Sequence, residues 1–347
     1  MGAFTSDRVR RWAPDCWFPL AHAEAIAAHP DLELAGLCDT DPANLERAQA
    51  TYGVPHGYAD FRVLADEVRP DLVTVATRTL GRAETIHALF DQGCRAFHIE
   101  KPLCNSVAEL ELLEGILSRS DVFATYGTIR RFFHIYREAR ELVRSGRWGK
   151  LLEIRVNFGL GALYWSHPHA VDLILFAAEG RKVTGVQARL DRLESGGPTH
   201  KVVNDPMIQS ATIWFDDGVA GHIGRAPGLD FVMSCERGEV TVRSDGRASC
   251  IGEYRGDDPY LVREDLPKRS HAEGPQGTFA PISQLAACLA GDPDALAANG
   301  AIKADILTGQ RILFAMGQSH CRSSSIMTLE EVNPSWRILA KTSEKYA

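Results

Sequence analysis

The sequence predicts an α/β protein with two sheets. An N-terminal Rossmann-type parallel sheet, its first strand missing or truncated, precedes an α/β domain built on an open, mainly antiparallel sheet. Short apolar runs at 32–38, 71–77, 95–99 and 122–126 alternate with helix-length segments at 42–52, 82–92 and 106–117. Strand, helix, strand at this spacing gives right-handed crossovers between parallel neighbours. From 183 to 254 the pattern changes to strand-like runs at 183–193, 208–215, 219–224, 231–236 and 239–243. The turns Asp216-Asp217-Gly218 and Arg237-Gly238 between them make hairpins. With 347 residues the chain is long enough for two well-formed cores.

Composition removes several classes of function. A net charge of −7, from 38 basic and 45 acidic residues, gives no support to a nucleic-acid or anionic-membrane partner. No apolar run approaches the length of a membrane span, and the first residues lack a signal-peptide core, so a cytoplasmic location is expected. Eight cysteines stand singly, with no Cys-x-x-Cys, as expected of free thiols in a reducing compartment. No carboxylate or cysteine sits at ligand spacing to complete a site around His167 and His169, so no metal is expected.

In chain order, Gly2-Ala3-Phe4-Thr5 suits the tail of a glycine-rich phosphate loop, with Gly2 as its second glycine and Thr5 in the third slot. The apolar strand and first glycine that should precede it are not in the sequence. The expectation is that the numbered chain begins at an internal methionine; the alternative is a real loss that impairs the cofactor site. Pro14 and Pro19 forbid a continuous helix across 7–20, so this stretch is expected to be a loop ahead of a first helix at 20–29. It either lies close to the cofactor or is a surface loop with two half-buried tryptophans.

The run 32–38 ends in Asp39, an acid at a strand tip that suits the ribose hydroxyls of an adenosine and repels a 2′-phosphate. NAD is therefore the expected cofactor, with Arg47 keeping NADP possible. Asp39 also lies where a helix over 42–52 needs an N-cap, and both readings can hold. The run 71–77 ends in Thr77-Arg78, and 95–99 runs into Glu100-Lys101-Pro102. A lysine just past the C-terminal edge of a parallel strand sits where open α/β sheets bind ligands. Pro102 stiffens that turn. A helix over 135–145 is closed by Gly146, a residue suited to a left-handed C′ position. A strand over 151–158 follows, then Tyr164-Trp165-Ser166-His167-Pro168-His169-Ala170-Val171-Asp172. Ser195-Gly196-Gly197-Pro198 reads as a flexible break, 255–277 as irregular, and 281–289 and 301–318 as helices.

The strand followed by Glu100-Lys101-Pro102 resembles the glucose-fructose oxidoreductase/inositol dehydrogenase (Gfo/Idh/MocA) family. So do the junction from Arg130-Arg131-Phe132 through Gly149 and the pair His169-x-x-Asp172. The resemblance covers 2 to about 331. It implies a Rossmann domain over 1–127, a substrate and oligomerisation domain over 128–326, and a tail over 327–347 returning to the first domain. It also implies subunit contacts through the second sheet. It places Lys101 beside the nicotinamide and the reacting carbinol, and makes His169 the proton donor or acceptor. Gly2, Ala3, Phe4, Asp39, Thr77, Arg78, Glu100 and Lys101 become the expected cofactor contacts. Two departures stand out. The family's Thr-Pro-x-x-x-His reads Thr77-Arg78-Thr79-Leu80-Gly81-Arg82, and the first Asp of its Asp-x-x-x-His-x-x-Asp is Trp165. Asp172 is expected to orient His169 or brace its helix. Arg78, Arg82 and Arg131 are weaker candidates for substrate or phosphate contacts, the bland alternative for each being a solvated surface arginine. With Trp165 and Asp172, Arg131 makes up the weaker substrate set.

The resulting expectation is an NAD(P)-dependent oxidoreductase that moves a hydride between nicotinamide and a carbinol or ketone of a sugar, deoxysugar or cyclitol. The alternatives are a non-catalytic cofactor- or sugar-binding regulatory relative, and a reductase of C=N groups.

Overall fold

The computed structural model describes residues 2–13, 17–191, 193, 201–267 and 276–339. Its first part contains helices α1 (Asp7–Trp12), α2 (His22–Ala27), α3 (Pro42–Tyr52), α4 (Phe61–Val68), α5 (Arg82–Asp91) and α6 (Val107–Leu117). Strands β1 (Leu37–Cys38), β2 (Gly57–Tyr58), β3 (Leu72–Val75), β4 (Ala96–Ile99) and β5 (Phe123–Tyr126) lie between them. All pairings here are parallel, but the sheet is in two pieces. β1 pairs with β2, β4 lies between β3 and β5, and no described strand joins the pieces. The segment from Gly2 to Phe4 reaches toward both pieces. Gly2 accepts a hydrogen bond from Ala23 N, and a Cβ on it would lie 3.4 Å from Ala76 Cβ, just past β3. Ala3 O accepts from Tyr52 Oη at the end of α3.

The missing neighbour corrects one expectation. The strand predicted over 32–38 shrinks to Leu37–Cys38, because only β2 offers it a ladder. Leu32 and Leu34 instead pack on a small separate cluster of Ala25, Ile26 and Ile282. The stretch predicted as a loop holds α1, capped by Ser6.

After a 3-10 turn at Ile129–Phe132, the second part begins with α7 (His134–Arg144), which ends at Gly146 with φ +72°. The strands are then β6 (Leu151–Asn157), β7 (Val183–Asp191), β8 (Lys201–Val202), β9 (Met207–Phe215), β10 (Ala220–Gly224), β11 (Asp230–Cys235), β12 (Gly238–Arg243), β13 (Ala248–Glu253), β14 (Val262–Asp265) and β15 (Arg337–Ile338). Helices α8 (Pro168–Ala178), α9 (Phe279–Leu289) and α10 (Pro293–Cys321) complete it. Eight strands form one sheet in the order β14-β13-β12-β11-β6-β10-β9-β7, antiparallel throughout except for the β10–β6 pair. β14 falls inside the stretch predicted as irregular; its ladder to β13 is what orders it. The predicted break at 195–198 lies outside the described residues.

Helix α8 is buried along its length except at His169, which is partly exposed, so it is a central helix and not an amphipathic one. It approaches β10 so closely that a Cβ on Gly221 would lie 2.4 Å from Ile174 Cγ2. Helix α10 begins well before the predicted 301, because Asp292 caps it and Pro293 fills its first turn. Asn299 and Gly300 weaken local helix propensity, but packing overrides it. The tail bonds Met327 to Val186 in both directions. It then gives Trp336 O to Val107 N and takes Asn105 O for Ile338 N at the start of α6, while β15 pairs with β8. The described cysteines are free thiols, and no described helix is long and apolar enough to cross a membrane.

Asn299 also closes the edge of the parallel sheet. Its amide accepts from Ala124 N at 3.2 Å and donates to Ala124 O at 2.9 Å, as a neighbouring strand would. Replacing Asn299 by Leu would leave two buried backbone groups unpaired. Urea unfolding of Asn299→Leu is expected to lose about 2–4 kcal/mol of stability.

Candidate active site

Strand β4 is fully buried, and its last residue, Ile99, delivers Glu100 and Lys101 to the carboxyl edge of the sheet. Arg82, the first residue of α5, is 2% exposed. One of its nitrogens donates to Glu100 O and Pro102 O, on either side of Lys101, and the other donates to Thr77 O beyond β3. The guanidinium thus ties two strand ends together around the lysine turn. It is neither a solvated surface arginine nor a group left open for phosphate, which corrects both readings made from sequence. Arg78 is exposed at the same edge, next to exposed Thr77.

Glu100 is committed to the turn as well. One carboxylate oxygen accepts from Lys101 N at 3.1 Å and the other lies 3.4 Å from His22 Nε2. A Cβ on Gly127 would lie 2.8 Å from that first oxygen, so the close packing needs a glycine there. His22 contacts the ring of His98 edge-on at 4.7 Å, and His98 is bonded to Thr125.

Lys101 Nζ stands 3.2 Å from the ring centroid of Trp165, a cation–π contact. Burial pulls the lysine pKa down to about 8; Glu100 and Asp205 oppose the fall, while Arg130 and Arg82 add to it. Trp165 is held by its backbone. Asp205 accepts from Tyr164 N at 2.8 Å and from Trp165 N at 3.0 Å, one bond to each carboxylate oxygen. Burial raises Asp205 to about 6 against those two bonds and the charge of Lys101. Asp205 escaped the sequence reading, since the only local signal, an acid before Pro206, marks any turn.

His169 lies in the first turn of α8, with Pro168 at its start. Its ring stacks on Phe158, and its Nδ1 is buried with no hydrogen-bond partner among the described residues. Burial, with Arg130 and Lys101 adding to it, holds its pKa well below the usual histidine value. It is therefore neutral at neutral pH. His167 points elsewhere, toward Gly161 O at 3.1 Å.

Asp172 and Arg131 are corrections. Both are nearly buried, and Arg131 Nε bonds both oxygens of Asp172 while Nη2 reaches Asp305 at 2.9 Å. Asp172 therefore braces α8 against the 3-10 turn and α10 and does not orient His169. Arg131 is spent on the same buried pair and is not presented to a substrate. Arg130 is likewise paired, with Asp245, through bonds of 2.6 and 2.8 Å.

The expected cofactor residues lie at strand ends. Asp39 follows β1, its N–H donating to Tyr58 O and its carboxylate accepting from Asp41 N. Asp41, not Asp39, caps α3. Phe4 carries the guanidinium of Arg47 4.0 Å above its ring. This donor set, an acid beyond β1, Thr77 and Arg78 beyond β3, Lys101 beyond β4 and close-packed Gly2, fits a dinucleotide laid along the carboxyl edge. Among the described residues no three His, Cys, Asp or Glu side chains gather as metal ligands.

Comparison with known proteins bears on this arrangement. Residues 17–128 match the model of an oxidoreductase family with an NAD-binding Rossmann fold, Gfo/Idh/MocA. The chain is 24% identical over 212 residues to a 1-carboxy-3-chloro-3,4-dihydroxycyclohexa-1,5-diene dehydrogenase of Comamonas testosteroni, covering 55% of this chain and 51% of that one. It is 27% identical over 136 residues to the myo-inositol 2-dehydrogenase of Thermotoga maritima, covering 39% and 40%. The matched stretch thus spans about half or less of these relatives. An oxidoreductase from Agrobacterium radiobacter, solved with NAD+, L-tartaric acid and magnesium, superposes with a TM-score of 0.68 at 15% identity, covering 88% of this chain and 94% of that one. At that identity the likeness is one of fold. Residues 17–128 are thus similar to the NAD-binding Rossmann part of the Gfo/Idh/MocA oxidoreductases.

Proposed function

We propose that the protein is an NAD(P)-dependent dehydrogenase acting on a CH–OH group of a cyclic polyol, sugar or diol. The observation that carries this reading is Lys101, at the end of a parallel strand, resting on Trp165 just ahead of α8, whose first turn carries His169. The named activities of the two curated relatives, a cyclohexadiene-diol dehydrogenase and an inositol dehydrogenase, support the cyclic hydroxylated class. A nicotinamide bound at the carboxyl edge supplies or accepts the hydride.

The chain's own residues handle the substrate oxygen and its proton. Cationic Lys101 donates a hydrogen bond to the substrate oxygen and stabilises negative charge developing there. Neutral His169 accepts the carbinol proton in oxidation and returns it in reduction. Trp165 carries the lysine on its ring face and so sets where the ammonium meets the substrate. Arg82 fixes the lysine turn, and Asp172 with Arg131 fixes the helix that carries His169. Asp39 favours NAD, by its acceptor chemistry and by repulsion of a 2′-phosphate. The outer face of the eight-stranded sheet is the proposed contact between subunits.

The first test is fluorescence titration with NADH and NADPH. NADH is expected to bind more tightly, and Asp39→Ala to weaken it by about 10- to 100-fold through loss of charge-assisted hydrogen bonds. Failure to bind either cofactor would sink the proposal. Lys101→Met is expected to lower turnover of cyclic polyols by about 10²–10⁴-fold, measured at saturating NAD so that any loss of cofactor affinity is separated from it. Cofactor binding without turnover across such a panel would favour a regulatory role.

The pH profile has a definite sign. His169 is already neutral at neutral pH, so oxidation is expected to be flat there. It should fall as pH rises through about 8, where Lys101 loses its proton. Lys101→Arg, which stays charged, should move that alkaline fall upward by more than one pH unit, to about 10 or beyond. An unchanged fall would exclude Lys101 as its cause.

A further inference from the structure

We infer that Asp205 is a positioning residue for Lys101: its carboxylate holds the backbone of Trp165, and so the indole platform on which the ammonium rests, and adds a second negative charge to that of Glu100. This deepens the dehydrogenase reading, and it rests on that reading only for its consequence in turnover.

The geometry makes two connections through one side chain. Each oxygen of Asp205 accepts one of two consecutive backbone N–H groups, those of Tyr164 and Trp165. These bonds fix the turn just ahead of α8, and with it the indole on whose face Lys101 Nζ rests. The same carboxylate interacts with the lysine through its charge, and each group perturbs the other. Asp205 comes from the segment before β9, remote in sequence from both partners.

The other groups facing Lys101 do not serve the same purpose. Glu100, on its own turn, is bound to Lys101 N and to His22, while Arg82 from α5 and Arg130 from the 3-10 turn are cations that oppose its charge. His169 from α8 is neutral. Of the two nearby carboxylates, only Asp205 also sets the surface on which the ammonium sits. A plain turn cap would hold the backbone and leave the lysine's protonation unchanged, which separates the two roles experimentally.

The test uses the full chain without cofactor or substrate, so its outcome is independent of whether the protein proves to be a dehydrogenase. Lysines are reductively 13C-methylated, and the Lys101 resonance is assigned by its absence in Lys101→Arg. In Asp205→Asn, Lys101 is expected to titrate at a pH lower than its wild-type value by about half a unit or more. Titration at the wild-type pH in folded Asp205→Asn would overturn the inference. Should that variant fail to fold, the unsubstituted protein decides. Its Lys101 resonance is expected to show a second, smaller step near pH 6, as Asp205 takes up a proton. A single step, at Lys101's own pKa, would overturn the inference equally.

Discussion

An ammonium group largely removed from water must be compensated by what surrounds it, and Lys101 imposes that constraint on the whole site. Burial drives its proton off, and the nearby arginines push the same way. What opposes them is an indole face at 3.2 Å and the carboxylates of Glu100 and Asp205. Each compensating group needs its own support. Glu100 fits only because Gly127 has no side chain, and Trp165 is in place because Asp205 holds its backbone. Arg82, drawing together carbonyls from two strand ends, keeps the lysine turn from relaxing away.

The second sheet matters to this site chiefly through α8. A helix buried on every side cannot be steered by a solvent face, so its orientation is set by packing on β10 and by the Arg131–Asp172–Asp305 cluster. Buried ion pairs add little net stability, yet breaking one leaves a stranded charge, so they hold geometry well. That geometry fixes the first turn of the helix, which carries neutral His169. Paired charges fix the frame, and on the proposed reading the ring nitrogen of His169 and the ammonium of Lys101 do the chemistry.

The Rossmann part shows what a parallel sheet loses without a continuous ladder. β1 and β2 hold each other over two residues only, while β3, β4 and β5 keep full register. The residues suited to a dinucleotide still lie at strand tips on both pieces, with Gly2 packed close to Ala76 beside β3. The match of residues 17–128 to an NAD-binding family model and the likeness of fold across most of the chain agree with this layout. Neither names a substrate, because chemistry belongs to the site and a fold hosts many.

Local pattern determined much of this by itself. The period of apolar runs gave the parallel sheet and a mainly antiparallel one, and the expected bounds of α3 and α6 lie within a residue of the observed ones. A stiff Glu-Lys-Pro turn after a buried strand drew attention to Lys101, and the family resemblance was needed to give it a role and to pair His169 with Asp172. Tertiary structure decided how charges are spent. Arg82, Arg131 and Asp172 have the look of solvent or ligand groups in sequence, because nothing local reveals burial or a partner 41 residues away. Strand 32–38 was over-read for the same reason: a ladder depends on a neighbour, not on the strand's own residues. Asp205 was invisible, since its meaning comes from two backbone N–H groups and an ammonium that only folding brings to it.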